Sequence, residues 1–181
     1  GTVTLADLAS KEGHAVLLQR VLPMTEGRRT AALTVVHYAV AVVVDVLVGP
    51  LLIDGVGLSA EADQLGAVLD RDGSWVAFWA GSTVEGGSAR SVGSLAAELL
   101  QSVLATSAQV ARLGVRGVRL IAYEAIRNGV RRFERFGVHP SRDGWGDALL
   151  AATGLGVGVP ERTVTVHPDV GAAVVLPIPS V

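Results

Sequence analysis

The stretch RRTAALTVVHYAVAVVVDVLVGPLL, from Arg28 to Leu52, is the most apolar part of the chain and decides its fold. Between Ala31 and Val48 the polar side chains are Thr34, His37, Tyr38 and Asp45. About 20 apolar residues suffice to cross a bilayer, but an ionisable Asp45 among β-branched valines favours the buried helix of a folded domain. The sequence therefore predicts a central core helix without membrane insertion, ended or kinked at Gly49-Pro50.

The composition is typical of a folded globular protein and excludes several classes of catalytic and metal-binding site. Half of the 181 residues are hydrophobic and 18% are charged, which suits one globular domain over residues 1–181. The net charge of −2 makes nucleic acid an unexpected partner. Cysteine is absent, so thiolate catalysis and cysteine-ligated zinc or iron–sulfur centres are excluded, and no cofactor is expected. Lys11 is the single lysine, which excludes a Walker-type phosphate loop.

Two segments have the pattern of β-hairpins. Apolar runs at Leu65–Leu69 and Ser74–Ala80 flank an Asp-Gly turn, and a second pair of runs covers Thr163–His167 and Ala172–Leu176. In the first hairpin Trp75, Ala77 and Trp79 share one face, and the other face is apolar too. We therefore expect this strand to be covered on both sides.

Helical patterns make up most of the rest. Gly13 divides an N-terminal helical segment into two pieces, Ser94 is a suitable N-cap for a helix to about Arg112, and a second helix covers Arg116 to Phe136. The chain is thus predicted to be an α+β protein: a helix-dominated single domain with a small antiparallel sheet formed by the two hairpins.

His37 and Asp45 are the candidate catalytic residues. They lie eight residues apart in the apolar helix, about 80° apart around it and two turns apart along it. In a dry pocket they would serve as a general base and the acid that orients it. The structural alternative is a hydrogen-bonded core histidine and an aspartate paired with an arginine.

Arginine is concentrated in one stretch, where seven arginines between Arg112 and Arg135 accompany two glutamates. Arg112, Arg116 and Arg119 have the spacing of one helix face, which would suit an anionic ligand. The alternative is a solvated face that pairs with acids elsewhere in the fold or in a partner subunit.

Aromatic residues supply the other candidate ligand contacts. These are Tyr38, Trp75, Trp79 and Trp145, the last in a predicted loop where it stacks on a ligand or anchors the loop. The remaining histidines, His14, His139 and His167, are isolated from one another. Their spacing matches no metal-binding motif, so no metal site is expected.

The order of these features resembles the FhuF-like ferric-siderophore reductase family over about Gly13 to Pro177. The resemblance rests on the RRTAA start of the apolar helix, its GPLL exit, the Trp75–Trp79 strand, two arginine-rich helices and a last β segment from Arg162. That family is identified by C-terminal cysteines that hold a [2Fe–2S] cluster, which this chain lacks. The resemblance therefore implies a scaffold and a pocket but no catalytic residue.

Two interpretations of the missing cysteines remain open. The chain is a reductase domain whose cluster-binding tail is missing, or a relative that never had one, which the ending at Pro177–Val181 favours. We expect a protein that binds or acts on a siderophore-type or other bacterial secondary metabolite in a pocket near His37, Tyr38, Asp45 and the tryptophans. The alternative is a non-catalytic module that forms a homodimer through the Ala/Val-rich helix. No secretion signal is predicted, so a cytoplasmic location is expected.

Overall fold

The computed structural model describes residues 1–70, 75–81, 87–138, 140–156, 161–166 and 174–179. The α-helices are α1 (Leu5–Ala9), α2 (Lys11–Val21), α3 (Arg28–Val43), α4 (Gly49–Asp54), α5 (Ala89–Ala111), α6 (Val115–Arg135) and α7 (Trp145–Thr153). The strands are β1 (Thr2–Thr4), β2 (Leu65–Leu69), β3 (Trp75–Ala80), β4 (Glu161–Val166) and β5 (Val174–Pro179). The predicted helix-dominated α+β domain with a small antiparallel sheet is confirmed.

The central apolar helix is longer than predicted and has an irregular middle. After α3 the chain forms a π-helical turn at Val44–Val48, in which the N–H of Gly49 donates to the carbonyl of Val44, and then continues as α4. Pro50 has no N–H to offer to the preceding turn, which favours such an irregularity next to it. Gly49-Pro50 therefore does not end the helix. It ends instead at Gly55, which has a φ of 74°.

This central helix packs inside the domain. Arg28–Asp54 is long and apolar enough to cross a membrane, but 67% of its most apolar window is buried by the rest of the fold. Its most extensive contacts with other helices are with α2, α5 and α6. Arg28–Asp54 is therefore a core helix of the domain, and membrane insertion is not supported. The same burial removes most of its Ala/Val surface from use as a homodimer contact.

The sheet differs from the prediction in its third strand. The hairpin of β2 and β3 forms as expected, and β1 pairs with the other edge of β2, so that the order is β1-β2-β3 and all pairs are antiparallel. The second hairpin, β4 with β5, forms a separate two-stranded sheet. The expectation that both hairpins join one sheet is wrong, since the third strand beside β2 and β3 is the N-terminal β1.

The two faces of β3 have different surroundings. Phe78 lies opposite Ala67 on the face of the sheet that packs against the core. Trp79 lies opposite Gly66 on the outer face. Ala77, also on the outer face, is exposed. The expectation of a strand covered on both sides is therefore wrong.

Three helices begin at other residues than the sequence predicts. The N-terminal segment breaks at Ser10, which caps α2, and Gly13 lies inside that helix. Helix α5 begins at Ala89, with Ser88 rather than Ser94 as its N-cap. The predicted loop at Trp145 forms the first turn of α7. At α2 and α5 the difference reflects a side-chain cap, because the Ser10 hydroxyl accepts from the N–H of Gly13 and the Ser88 hydroxyl accepts from the N–H of Ser91.

Ser88→Ala is expected to lower the free energy of unfolding by about 1 kcal/mol, because it removes an N-cap. The Ser88 hydroxyl accepts from the N–H of Ser91 at 3.1 Å, and the N–H of Ser88 donates to the Ser91 hydroxyl at 3.0 Å. Ser94→Ala is the matched control, since Ser94 is exposed inside the same helix and alanine is the better helix former. Denaturant titration compares the two, and an equal loss in both would contradict the assignment.

Candidate functional site

A groove between the central helix and α6 brings together the largest set of candidate polar groups. It encloses about 320 Å³. Its lining consists of His37, Val40, Ala41, Val44, Asp45, Ala125, Asn128, Gly129 and Arg132. We call it the α3–α6 groove. Gly129 allows the two helices to approach, because a Cβ atom there would overlap the side chain of Val44.

Asp45 and Arg132 form an ion pair across this groove. The guanidinium of Arg132 donates to the Asp45 carboxylate, and the two side chains are 50% and 27% exposed, respectively. The carbon that carries the guanidinium charge also lies 4.8 Å from the centre of the Phe133 ring. The structural alternative for Asp45, pairing with an arginine, is therefore what the structure shows. Because the pair is half-exposed, it contributes little to folding stability and chiefly fixes the position of the guanidinium.

His37 lies at the same groove and is partly exposed to solvent, so neither the dry pocket nor the hydrogen-bonded core position considered from the sequence describes it. Its partial burial lowers the pKa of the imidazole below its ordinary value. His37 is therefore neutral at pH 7 and has one nitrogen free to accept a proton. Among the described residues Asp45 bonds Arg132 and not His37, so the expected pair of a base and its orienting acid does not form.

The predicted aromatic contacts lie elsewhere. Tyr38 packs against the core, Trp79 covers Gly66 on the outer face of the sheet, and Trp145 packs against the core from α7. The side chain of Trp75 falls outside the described part of the chain. Trp79 and Trp145 thus do not line the groove that holds His37 and Asp45, and the single pocket expected to contain these residues is not formed by the described part of the chain.

The predicted arginine face is interrupted. Arg112 ends α5 in a left-handed conformation with a φ of 53°, and α6 starts only at Val115. Arg116 and Arg119 are exposed on the first turns of α6, where Arg119 donates to the carbonyl of Gly154 at 2.9 Å. Arg112 therefore belongs to a different helix, and the three side chains do not have the spacing of one continuous face.

A second cavity, of about 530 Å³, lies between the ends of α4 and α6 and the start of α7. Three carboxylates line it, from Glu134, Asp143 and Asp147. Arg142 also lines it and donates to the carbonyls of Leu52 and Ile53 at the end of α4. Among the described residues no group of three or more His, Asp or Glu side chains is placed to hold a metal ion. The charged groups of this cavity are therefore mainly carboxylates, since its arginine, Arg142, is engaged in hydrogen bonds to the backbone of α4.

His14 is the fully buried titratable residue of the described core. Its Nδ1 lies 3.1 Å from the carbonyl of Leu8, and its Nε2 has no partner among the described residues. Burial lowers the pKa of His14, and the hydrogen bond to Leu8 opposes this effect in part. His139 and His167, the other isolated histidines, lie outside the described residues.

The stability of the protein is expected to fall as the pH drops below about 6.5, the ordinary pKa of histidine. The unfolded chain takes up a proton at His14 near that pH, whereas the folded chain resists it, so protons favour unfolding. Thermal unfolding at pH 8 and pH 5 measures the effect. His14→Gln keeps a hydrogen-bonding group and removes the titration, so it should reduce the pH dependence. An unchanged pH dependence in this variant would show that His14 is not its source.

Two residues of the groove were missed by sequence reasoning, Asn128 and Arg132. They lie four residues apart on α6 and so share a face, but nothing distinguishes Arg132 from the six other arginines of its stretch. Its partner Asp45 is 87 residues away along the chain. A local pattern could not have found this pair.

No family model, no curated protein and no solved structure matches this chain. The resemblance to the FhuF-like reductases therefore stays a prediction. The geometry of the α3–α6 groove is the basis on which function is argued.

Proposed function

We propose that this protein binds a siderophore-type or other bacterial secondary metabolite in the α3–α6 groove, in the cytoplasm and without an iron–sulfur cluster of its own. The observation that carries the proposal is the convergence of His37, Asp45, Asn128 and Arg132 on one cavity. Ligand sites combine an apolar wall with a few polar groups. Here Val40, Val44 and neighbouring alanines supply the wall.

The polar groups of the groove complement an oxygen-rich ligand. The Arg132 guanidinium has five N–H donors, more than its ion pair with Asp45 uses. The Asn128 amide offers both a donor and an acceptor. The neutral His37 imidazole supports a role as acceptor or general base for a hydroxyl of the ligand. Asp45 acts as a positioning residue, since it holds Arg132 at the groove.

The proposal is tested with catechol, acetohydroxamic acid and 2,3-dihydroxybenzoate as probes. Backbone amide resonances are followed by NMR during titration, and we expect shifts concentrated on the helix turns around His37, Asp45 and Arg132. Tryptophan fluorescence is a poor readout, because the tryptophans whose side chains are described, Trp79 and Trp145, do not line this groove. Saturable shifts confined to the second cavity, around Asp143 and Asp147, would show that the probe binds there and not in the α3–α6 groove. No saturable shift with any probe would refute the proposal.

A further inference from the structure

The end of helix α6 exposes positive charge and an aromatic ring. Of the arginines in this helix, Arg132 pairs with Asp45, Arg127 with Glu124, and Arg119 bonds a carbonyl. Arg131 and Arg135 are exposed, and in the described part of the chain no ion pair engages them. Phe136 follows directly and is 77% exposed, more than any other large hydrophobic residue described. We call Arg131, Arg135 and Phe136 the α6 end.

A groove elsewhere on the domain has the opposite character. It encloses about 840 Å³ between α1, the segment before β2, and α5. Its lining is Ala6, Ala9, Ser59, Ala60, Glu61, Ala62, Gln64, Leu95, Glu98, Leu99, Gln101 and Ser102. Alanines and leucines form much of its surface, and Glu61 and Glu98 are exposed. Neither glutamate has an ion pair among the described residues, and the lining includes neither lysine nor arginine. We call it the α1–α5 groove.

We propose that the α6 end of one copy of this chain docks into the α1–α5 groove of a second copy. Phe136 would enter the part of the groove formed by leucines and alanines, and Arg131 and Arg135 would face its glutamates. A large exposed aromatic ring loses contact with water on such docking, which favours association. Opposite charges around the apolar contact then select the orientation.

A second copy is favoured over other occupants because one chain carries both complementary surfaces. An anionic membrane or a nucleic acid would satisfy the α6 end but leave the acidic groove unexplained. The two surfaces have no residue in common. Each copy can therefore offer one surface to a neighbour while its other surface remains free, which is a heterologous, head-to-tail contact.

The first measurement is the mass of the protein in solution. Sedimentation velocity from about 10 µM to about 1 mM covers the range of weak association. The average mass should rise with concentration, and the rise should shrink in about 0.5 M salt, because salt screens exposed charge pairs. A monomer at every concentration would overturn the proposal.

The second measurement assigns the surfaces with two variants. The groove variant carries Glu61→Lys and Glu98→Lys, and the α6 variant carries Arg131→Glu and Arg135→Glu. Each variant, measured alone, is expected to self-associate with a dissociation constant at least about tenfold higher than that of the parent protein. Mixed together they should associate again, because the intact α6 end of the groove variant fits the intact groove of the other and the two charge-reversed surfaces also attract each other. Phe136→Ser tests the apolar contact without changing charge.

The controls are charge changes at exposed positions outside both surfaces. Glu26→Lys and Arg29→Glu match the variants in kind and should leave association unchanged. Circular dichroism checks that every variant is folded. Association that persists in both variants would place the interface elsewhere and overturn the proposal, as would failure of the mixture to associate. Binding of the parent protein to anionic vesicles or to DNA, lost in the α6 variant without any self-association, would assign the α6 end to that partner instead.

Discussion

Gly93→Ala is expected to lower the free energy of unfolding by about 2 to 3 kcal/mol, an overpacking cost. Gly93 lies in α5 where α7 crosses it closely. A Cβ atom there would overlap the carbonyl oxygen of Leu149 and come within 2.9 Å of the Cβ of Ala152. The obstacle is helix backbone, which cannot turn aside as a flexible side chain can. The two helices would have to separate along a contact that both use extensively.

Gly117→Ala is the matched control and should have the opposite sign. Gly117 lies in the first turn of α6, and nothing lies within 4 Å of a Cβ atom built there. Alanine in an open helical position is favoured over glycine by about 0.5 to 1 kcal/mol, so this variant should be more stable than the parent. Urea titration of both variants checks the pair. If Gly93→Ala were also stabilising, the close packing of α5 on α7 would be refuted.

Sequence patterns predicted the elements whose signals are local. The hairpin of Leu65–Leu69 with Trp75–Ala80 was predicted within one residue, because its turn and its strands are adjacent in the chain. Helix α6 was also predicted closely, since Val118, Ala122, Ile126 and Val130 repeat every four residues along its buried side.

The errors concern interactions between distant parts of the chain or competition between similar local signals. Strand β1 has only three residues, and its partner is β2, more than sixty positions away, so no pattern marks it. Ser88 and Ser94 are both acceptable caps, and the choice depends on the reciprocal bonds between Ser88 and Ser91. The π-helical turn at Val44–Val48 has the same apolar composition as the helix on either side.

The candidate site was predicted in part for the same reason. His37 and Asp45 were found because polar residues are conspicuous in an apolar helix, and the structure places both at the α3–α6 groove. Burial was overestimated, because the helix presents one edge to the groove and to water. The aromatic candidates had no positional signal that tied them to this helix, and Trp79 lies on the opposite face of the sheet from the core.

Arg132→Gln is expected to weaken the binding of catechol in the α3–α6 groove at least about tenfold, or roughly 1.4 kcal/mol. The change removes the guanidinium that Asp45 holds at the groove and keeps a side chain of similar polarity. Arg131→Gln is the matched control, since Arg131 is the neighbouring residue and does not line the groove. Isothermal titration calorimetry at low protein concentration measures both. Equal affinities in the two variants would exclude Arg132 from the site.

His37→Gln is expected to weaken the same binding at least about tenfold and, in addition, to remove its pH dependence. The lowered pKa of His37 keeps the imidazole neutral at pH 7, so the parent protein should bind well there and lose affinity below about pH 6.5 as the ring takes up a proton and its acceptor nitrogen is lost. Asp45→Asn should weaken binding by a similar factor, because Arg132 is then no longer held in place, but the pH dependence should remain. A residue that served packing alone would change affinity without changing the pH profile. A parent-like profile in His37→Gln, with unchanged circular dichroism, would therefore remove the imidazole from the binding site and leave the Arg132–Asp45 pair as its polar centre.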